Sequence, residues 1–157
     1  MLKYFNSFQK SAFRVETLQR YNVNEEREAF EYFQQHKKLL DGVWNDWHDI
    51  IKQAKSRGTT MQRVHLIQFP ITPYISFEME FYKKSMMYWE EIFYLPFEDC
   101  TVEVKSDFWI FDDAVVLKMF YDKDGCFLKF EEIKDIVPYL QIKNYLLENK
   151  RNIEELF

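Results

Sequence analysis

The stretch FWIFDDAVVLKMFYDKDGCFLKF, residues 108–130, decides the fold class. Phe108–Phe111 is a run of β-prone apolar residues, and Val115–Tyr121 is a second. Between them Asp112-Asp113 supplies turn chemistry. Asp122-Lys-Asp-Gly125 marks a second turn, leading into Cys126–Phe130. Strand, turn, strand, turn, strand makes a meander of two hairpins, antiparallel by construction. Val102-Glu-Val104 alternates just upstream and is read with the same sheet.

Outward from this block the period changes. Asn24 has the chemistry of a helix N-cap, followed by Glu25, Glu26 and Glu28, where the helix dipole favours acids. Ala29, Phe30, Phe33 and Leu40 form a helical stripe, Lys37 and Lys38 suit its end, and Asp41-Gly42 breaks it. Trp44, Trp47, Ile50, Ile51 and Ala54 predict a second amphipathic helix, stopped at Gly58. Residues 60–69 alternate and read as a strand ended by Pro70. Thr72-Pro73 starts a helix over about 73–88. Ile92–Leu95 is a short strand, and a last helix covers about 135–149 with a break expected at Pro138. The aromatics Tyr4, Phe5, Phe8 and Phe13 indicate a packed N-terminal segment, extended near Phe13–Thr17. The charged tail Arg151–Phe157 is expected to fray. Together these elements predict one α+β domain over residues 1–157, a central mixed or antiparallel sheet flanked by helices, with a C-terminal helix.

Composition narrows the function classes. The 157 residues include 16 Phe, 10 Tyr and 4 Trp but only 3 Gly, so rings fill the core while glycine-rich phosphate loops have no material. A net charge of -5 argues against nonspecific nucleic-acid binding. Cys100 and Cys126 form neither a disulfide framework nor a zinc pattern. Without a signal pattern or a membrane-length apolar run, the expectation is a cytoplasmic protein away from the membrane.

Catalytic motifs are missing. His36, His48 and His65 form no HExxH, and His36 with Lys38 lacks the aspartate of a phospholipase-D motif, since position 43 is Val43. There is no nucleophile elbow, Walker loop or dinucleotide fingerprint. Asp122-Lys-Asp-Gly125 is too short for an EF-hand loop. No cofactor, metal or catalytic residue is therefore assigned. What stands out is charge embedded in apolar sequence: Arg14 and Glu16 on one face of an extended segment, Arg63 on a strand, and Glu78 on a helix. Asp107 and Asp112 flank the Phe108–Phe111 run. These six are the candidates for a ligand site or an internal ion-pair network.

At the same residues the sequence resembles an uncharacterised bacterial family, abundant in actinomycetes and often encoded beside Xre-type helix-turn-helix regulators. The resemblance runs through Ser11-Ala-Phe-Arg-Val-Glu16, Tyr21 and Glu25-Glu-Arg-Glu28, then Arg63-Val-His-Leu and Pro73-Tyr-Ile-Ser-Phe-Glu78. It continues through Glu91–Pro96, Asp107–Asp112 and Tyr121–Gly125. The strand pattern is also similar to degenerate phospholipase-D-like domains of regulators. The chain departs from the actinomycete pattern toward Lys, Phe and Ile, as a low-GC or mobile-element origin would give. The resemblance implies a non-enzymatic accessory or regulatory module. It would bind a partner protein, such as a helix-turn-helix regulator, or a small ligand. The alternative expectation is a hydrolase or nuclease-like enzyme on a phosphate-containing substrate. There Arg14 and Arg63 would hold the anion, and Glu16, Glu78 or Asp112 would do acid–base or metal work.

Overall fold

A computed structural model describes residues 1–157. Its elements are α1 (Leu2–Ser7), β1 (Ser11–Glu16), α2 (Arg27–His36), α3 (Asn45–Ser56), β2 (Thr60–Ile67), α4 (Pro73–Met87) and β3 (Glu90–Pro96). Then follow β4 (Phe108–Phe111), β5 (Val115–Tyr121), β6 (Phe127–Ile133), α5 (Val137–Asn149) and β7 (Arg151–Asn152). All strands join one seven-stranded sheet of order β6-β5-β4-β1-β2-β3-β7. The sheet is mixed: β1, β2 and β3 run parallel, while β4, β5 and β6 form the expected antiparallel meander. Helices must connect the parallel strands, since a hairpin cannot.

Strand parity assigns two faces. On one, Phe13, Val15, Val64, Leu66, Phe108, Ile110 and Val116 pack against α5 through Leu146. The other face has Ala12, Met61, Trp109 and Phe111 under α1 and α3, and Ile67, Ile92 and Tyr94 under α4. Arg14, Glu16, Arg63, His65 and Glu90 share this second face, between the two apolar clusters, and all are buried.

Several local expectations are corrected. Val102–Val104 is irregular rather than a strand; the chain there is tied to α5 instead, with Tyr145 bonding Thr101. Asn24 makes no side-chain cap, because a 3-10 turn over Asn24–Glu26 precedes α2. That helix stops at His36, where Lys37 turns left-handed at φ 57°. Pro138 sits in the first turn of α5, where it has no hydrogen bond to lose, so the helix does not break. The tail does not fray: Arg151–Asn152 pairs with β3 and Ile153 is buried. No helix is long and apolar enough to cross a membrane.

Candidate functional site

The register of β1 against β2 places Arg14 directly beside Arg63, and Glu16 beside His65. Two neighbouring guanidiniums repel unless acids intervene. Glu16 supplies the first acid, accepting from Arg14 Nε at 2.8 Å and from Arg63 Nη1 at 2.9 and 3.0 Å. Glu90, arriving on β3, takes Arg63 Nε at 2.9 Å and Trp47 Nε1 at 2.9 Å. Asp107, just before β4, faces Arg14 Nη2 at 3.4 Å. Its carboxylate also accepts the Thr17 amide at 2.8 Å, the Thr17 hydroxyl at 2.7 Å and the Tyr21 hydroxyl at 2.5 Å.

From the helical side, Tyr74, Glu78 and Tyr82 follow one another at four-residue spacing on α4. The Tyr82 hydroxyl lies 2.9 Å from Glu16 Oε2 and 2.7 Å from His65 Nδ1. His65 Nε2 lies 2.8 Å from the Leu18 carbonyl, which only accepts, so the ring proton sits on Nε2. Glu78 is the exception. It makes no hydrogen bond, its Oε2 is buried, and the nearest cation site, His65 Nδ1, is 3.7 Å away.

These surroundings set the ionisation of the group. Burial opposes the charge on Glu16, but Arg63 and Arg14 outweigh it and hold this carboxyl well below the usual range. Glu78 has no such compensation. Burial, then the charges of Glu16 and Glu26, push it well above the ordinary value. Burial also pulls His65 downward against Glu16 and the Leu18 carbonyl.

The network ends beneath an open cleft of about 810 Å³ at the carboxyl ends of β1 and β2. In open α/β sheets this is where ligands enter. The loop after β1 contributes Gln19, Arg20 and Tyr21, α2 and its leading turn contribute Glu26 and Phe30, and α4 contributes Tyr74. The network fixes this rim. Asp107 holds Thr17 and Tyr21, His65 holds Leu18, and the Gln19 amide donates to the Leu66 carbonyl at 2.7 Å. Gly125 buttresses it from outside: at φ 81° a Cβ there would fall 2.6 Å from the Arg20 carbonyl. Glu26 accepts from Trp44 Nε1 at 2.7 Å and the Tyr74 hydroxyl at 2.9 Å, and burial raises its carboxyl despite these bonds.

Arg14, Glu16, Arg63 and Asp107 thus converge by hydrogen bonds, and Glu78 sits beside them. Asp112 does not join them. It takes positive φ (54°) at the β4–β5 turn and accepts the backbone amides of Gln9, Lys10 and Ser11 at 2.7–3.0 Å. Sequence reasoning missed Tyr21, Glu26, Trp47, Tyr74, Tyr82 and Glu90. The signal that could have found two of them was the Tyr74-Glu78-Tyr82 stripe, whose polar tips share one helix face. No group of His, Cys, Asp and Glu has metal-holding geometry.

Compared with known proteins, residues 1–148 match the model of a family described as a domain of unknown function (DUF6879). The chain belongs to that family. No curated protein matches it.

Proposed function

We propose that this member of the family is a non-enzymatic recognition module that binds a small ligand, or a side chain of a partner protein, in the cleft at the carboxyl ends of β1 and β2. The observation carrying this is how the buried charges are used. Arg14 and Arg63 direct donors to Glu16, Glu90 and Asp107, and of these carboxylates Asp107 in turn holds the rim through Thr17 and Tyr21. A phosphate-hydrolase reading needs these guanidiniums free for an anion and a carboxylate free to take a proton from water. The helix-turn-helix partner implied by the sequence resemblance fits a module that reads a ligand and passes the state on.

A photo-crosslinking residue in place of Arg27, at the cleft rim, tests this in cells, with Lys105 on an exposed loop as the control position. The reading expects an adduct from position 27 alone. Phosphodiester turnover by the purified chain that disappears in Glu78→Gln would overturn it in favour of the hydrolase.

A further inference from the structure

The sheet has two edges, and they differ in length. At one, β7 has two residues; at the other, β6 has seven, with no strand beyond it. An open edge of that length is a template for a further strand, and a lysine on it commonly guards against one. Here Phe127, Leu128, Lys129, Glu131 and Glu132 are all exposed. The direction of the backbone groups follows from β5. The Met119 amide donates to the Asp107 carbonyl at 2.9 Å, and so points toward β4. Successive residues of an antiparallel strand turn to opposite neighbours. Lys118 and Phe120 therefore turn to β6, where their partners are Glu131 and Lys129. That leaves the N–H and C=O groups of Phe130 and Glu132 pointing outward.

Charge selects what can pair with this edge. The strand reads Leu128-Lys129-Phe130-Glu131-Glu132, so the charge inverts across Phe130. An antiparallel pairing of two copies centred on Glu131 would set Glu131 against Glu131, and one centred on Glu132 would set Glu132 against Glu132. Centred on Phe130, Lys129 of each copy falls opposite Glu131 of the other. Opposite charges directly across a pair of strands attract, and like charges repel. Within one chain Lys129 Nζ already lies 2.5 Å from Glu131 Oε1. A second copy completes a square of four charges in which every neighbour, along and across the strands, has the opposite sign. Both side chains are about half exposed or more, at 60% and 49%, and so are free to join it.

We propose that β6 pairs with β6 of a second copy, antiparallel and centred on Phe130, to give a two-fold dimer with one continuous sheet. The register shift opposite Phe120 and Tyr121 ends the regular ladder near Leu128, so the paired run is short and the dimer is a weak one.

The test is sedimentation velocity of the full chain across a concentration series reaching the millimolar range. The wild-type chain should pass from monomer to dimer. Lys129→Glu sets acid against Glu131 on both sides of the axis and should weaken association roughly fivefold or more, because two attractive cross-strand pairs become repulsive. Glu131→Lys should do the same with two bases. An equimolar mixture of these two variants restores both ion pairs and should dimerise where neither does alone. Far-ultraviolet circular dichroism checks that each variant folds. In the wild-type chain, hydrogen exchange of the Phe130 amide should slow as concentration rises, a readout that needs no variant. A chain that stays monomeric throughout, folded variants that dimerise as the wild type does, or a Phe130 amide indifferent to concentration would each overturn the proposal.

Discussion

Replacing Glu16 by Gln removes one charge and little volume from the centre of the buried network. Glu16 accepts four hydrogen bonds, from Arg14, twice from Arg63, and from Tyr82, all at 2.8–3.0 Å. The amide keeps one acceptor and turns an NH₂ group toward donors. Arg63 retains Glu90, but Arg14 retains only two long contacts, to Asp107 at 3.4 Å and to the Tyr121 hydroxyl at 3.3 Å. Breaking a buried pair in this way costs about 3–5 kcal/mol. For a chain of this size that lowers Tm by roughly 6–20 °C, at 2–4 °C per kcal/mol. Urea denaturation at pH 7 measures the cost, and Trp47 and Trp109, which lie against the network, report it by fluorescence. The pH dependence carries the sign. The folded Glu16 carboxyl is depressed, so its stabilisation is present above the unfolded value, about 4.3, and fades as pH falls toward the folded one. Gln does not titrate, so the gap between the proteins should narrow as pH drops below about 4.3. A gap under about 1 kcal/mol at pH 7, the weight of a surface pair, would refute the claim that the network is dry and mutually dependent. A gap unchanged into acid would refute the assignment of its charge to Glu16.

Glu78→Gln should act in the opposite sense. Its folded carboxyl is raised, so the wild-type protein loses stability as pH rises through that value, and the amide does not. Urea midpoints should show the variant gaining roughly 1–3 kcal/mol, the weight of an unpartnered buried group, at alkaline pH, with the gain vanishing below the unfolded value. Asp112→Ala should cost about 1–2 kcal/mol, as for a lost helix cap. Amide hydrogen exchange should quicken first at Gln9, Lys10 and Ser11, the three donors it releases.

The elements were legible where one period governs a segment. The 108–130 run shows its hairpins because strand and turn chemistry alternate within a few residues, and Arg14 and Glu16 show their common face by parity alone. What stayed hidden was register over distance. Nothing local in the Ser11–Glu16 sequence says that it pairs in parallel with Thr60–Ile67, and this pairing is what sets Arg14 against Arg63. Glu90 escaped notice because it reads as the surface end of a helix. In the structure Trp89 turns with φ 75° and delivers Glu90 to the buried face beside Met61. Asp112 was drawn toward the cluster by its position after an apolar strand. Chain direction decides otherwise: Asp107 and Asp112 lie at opposite ends of β4, and only the first of these ends meets the carboxyl end of β1.

That geometry bears on why the charges are there at all. Apolar residues of similar size at positions 14, 16 and 63 would serve a sheet face as well or better, since burying ions is seldom rewarded in stability. The outer members of the network do something apolar residues cannot. Asp107 holds the Thr17 amide and hydroxyl and the Tyr21 hydroxyl, and His65 holds the Leu18 carbonyl, so four polar groups on three residues of one loop are fixed from below. Arg14 in turn reaches Asp107 directly, and Glu16, held by both guanidiniums, accepts the Tyr82 hydroxyl, whose oxygen lies beside His65. Ion pairs placed solely for stability have no reason to terminate on the rim of the cleft. A network built to hold that rim rigid must do so, and the pattern of bonds matches the second description.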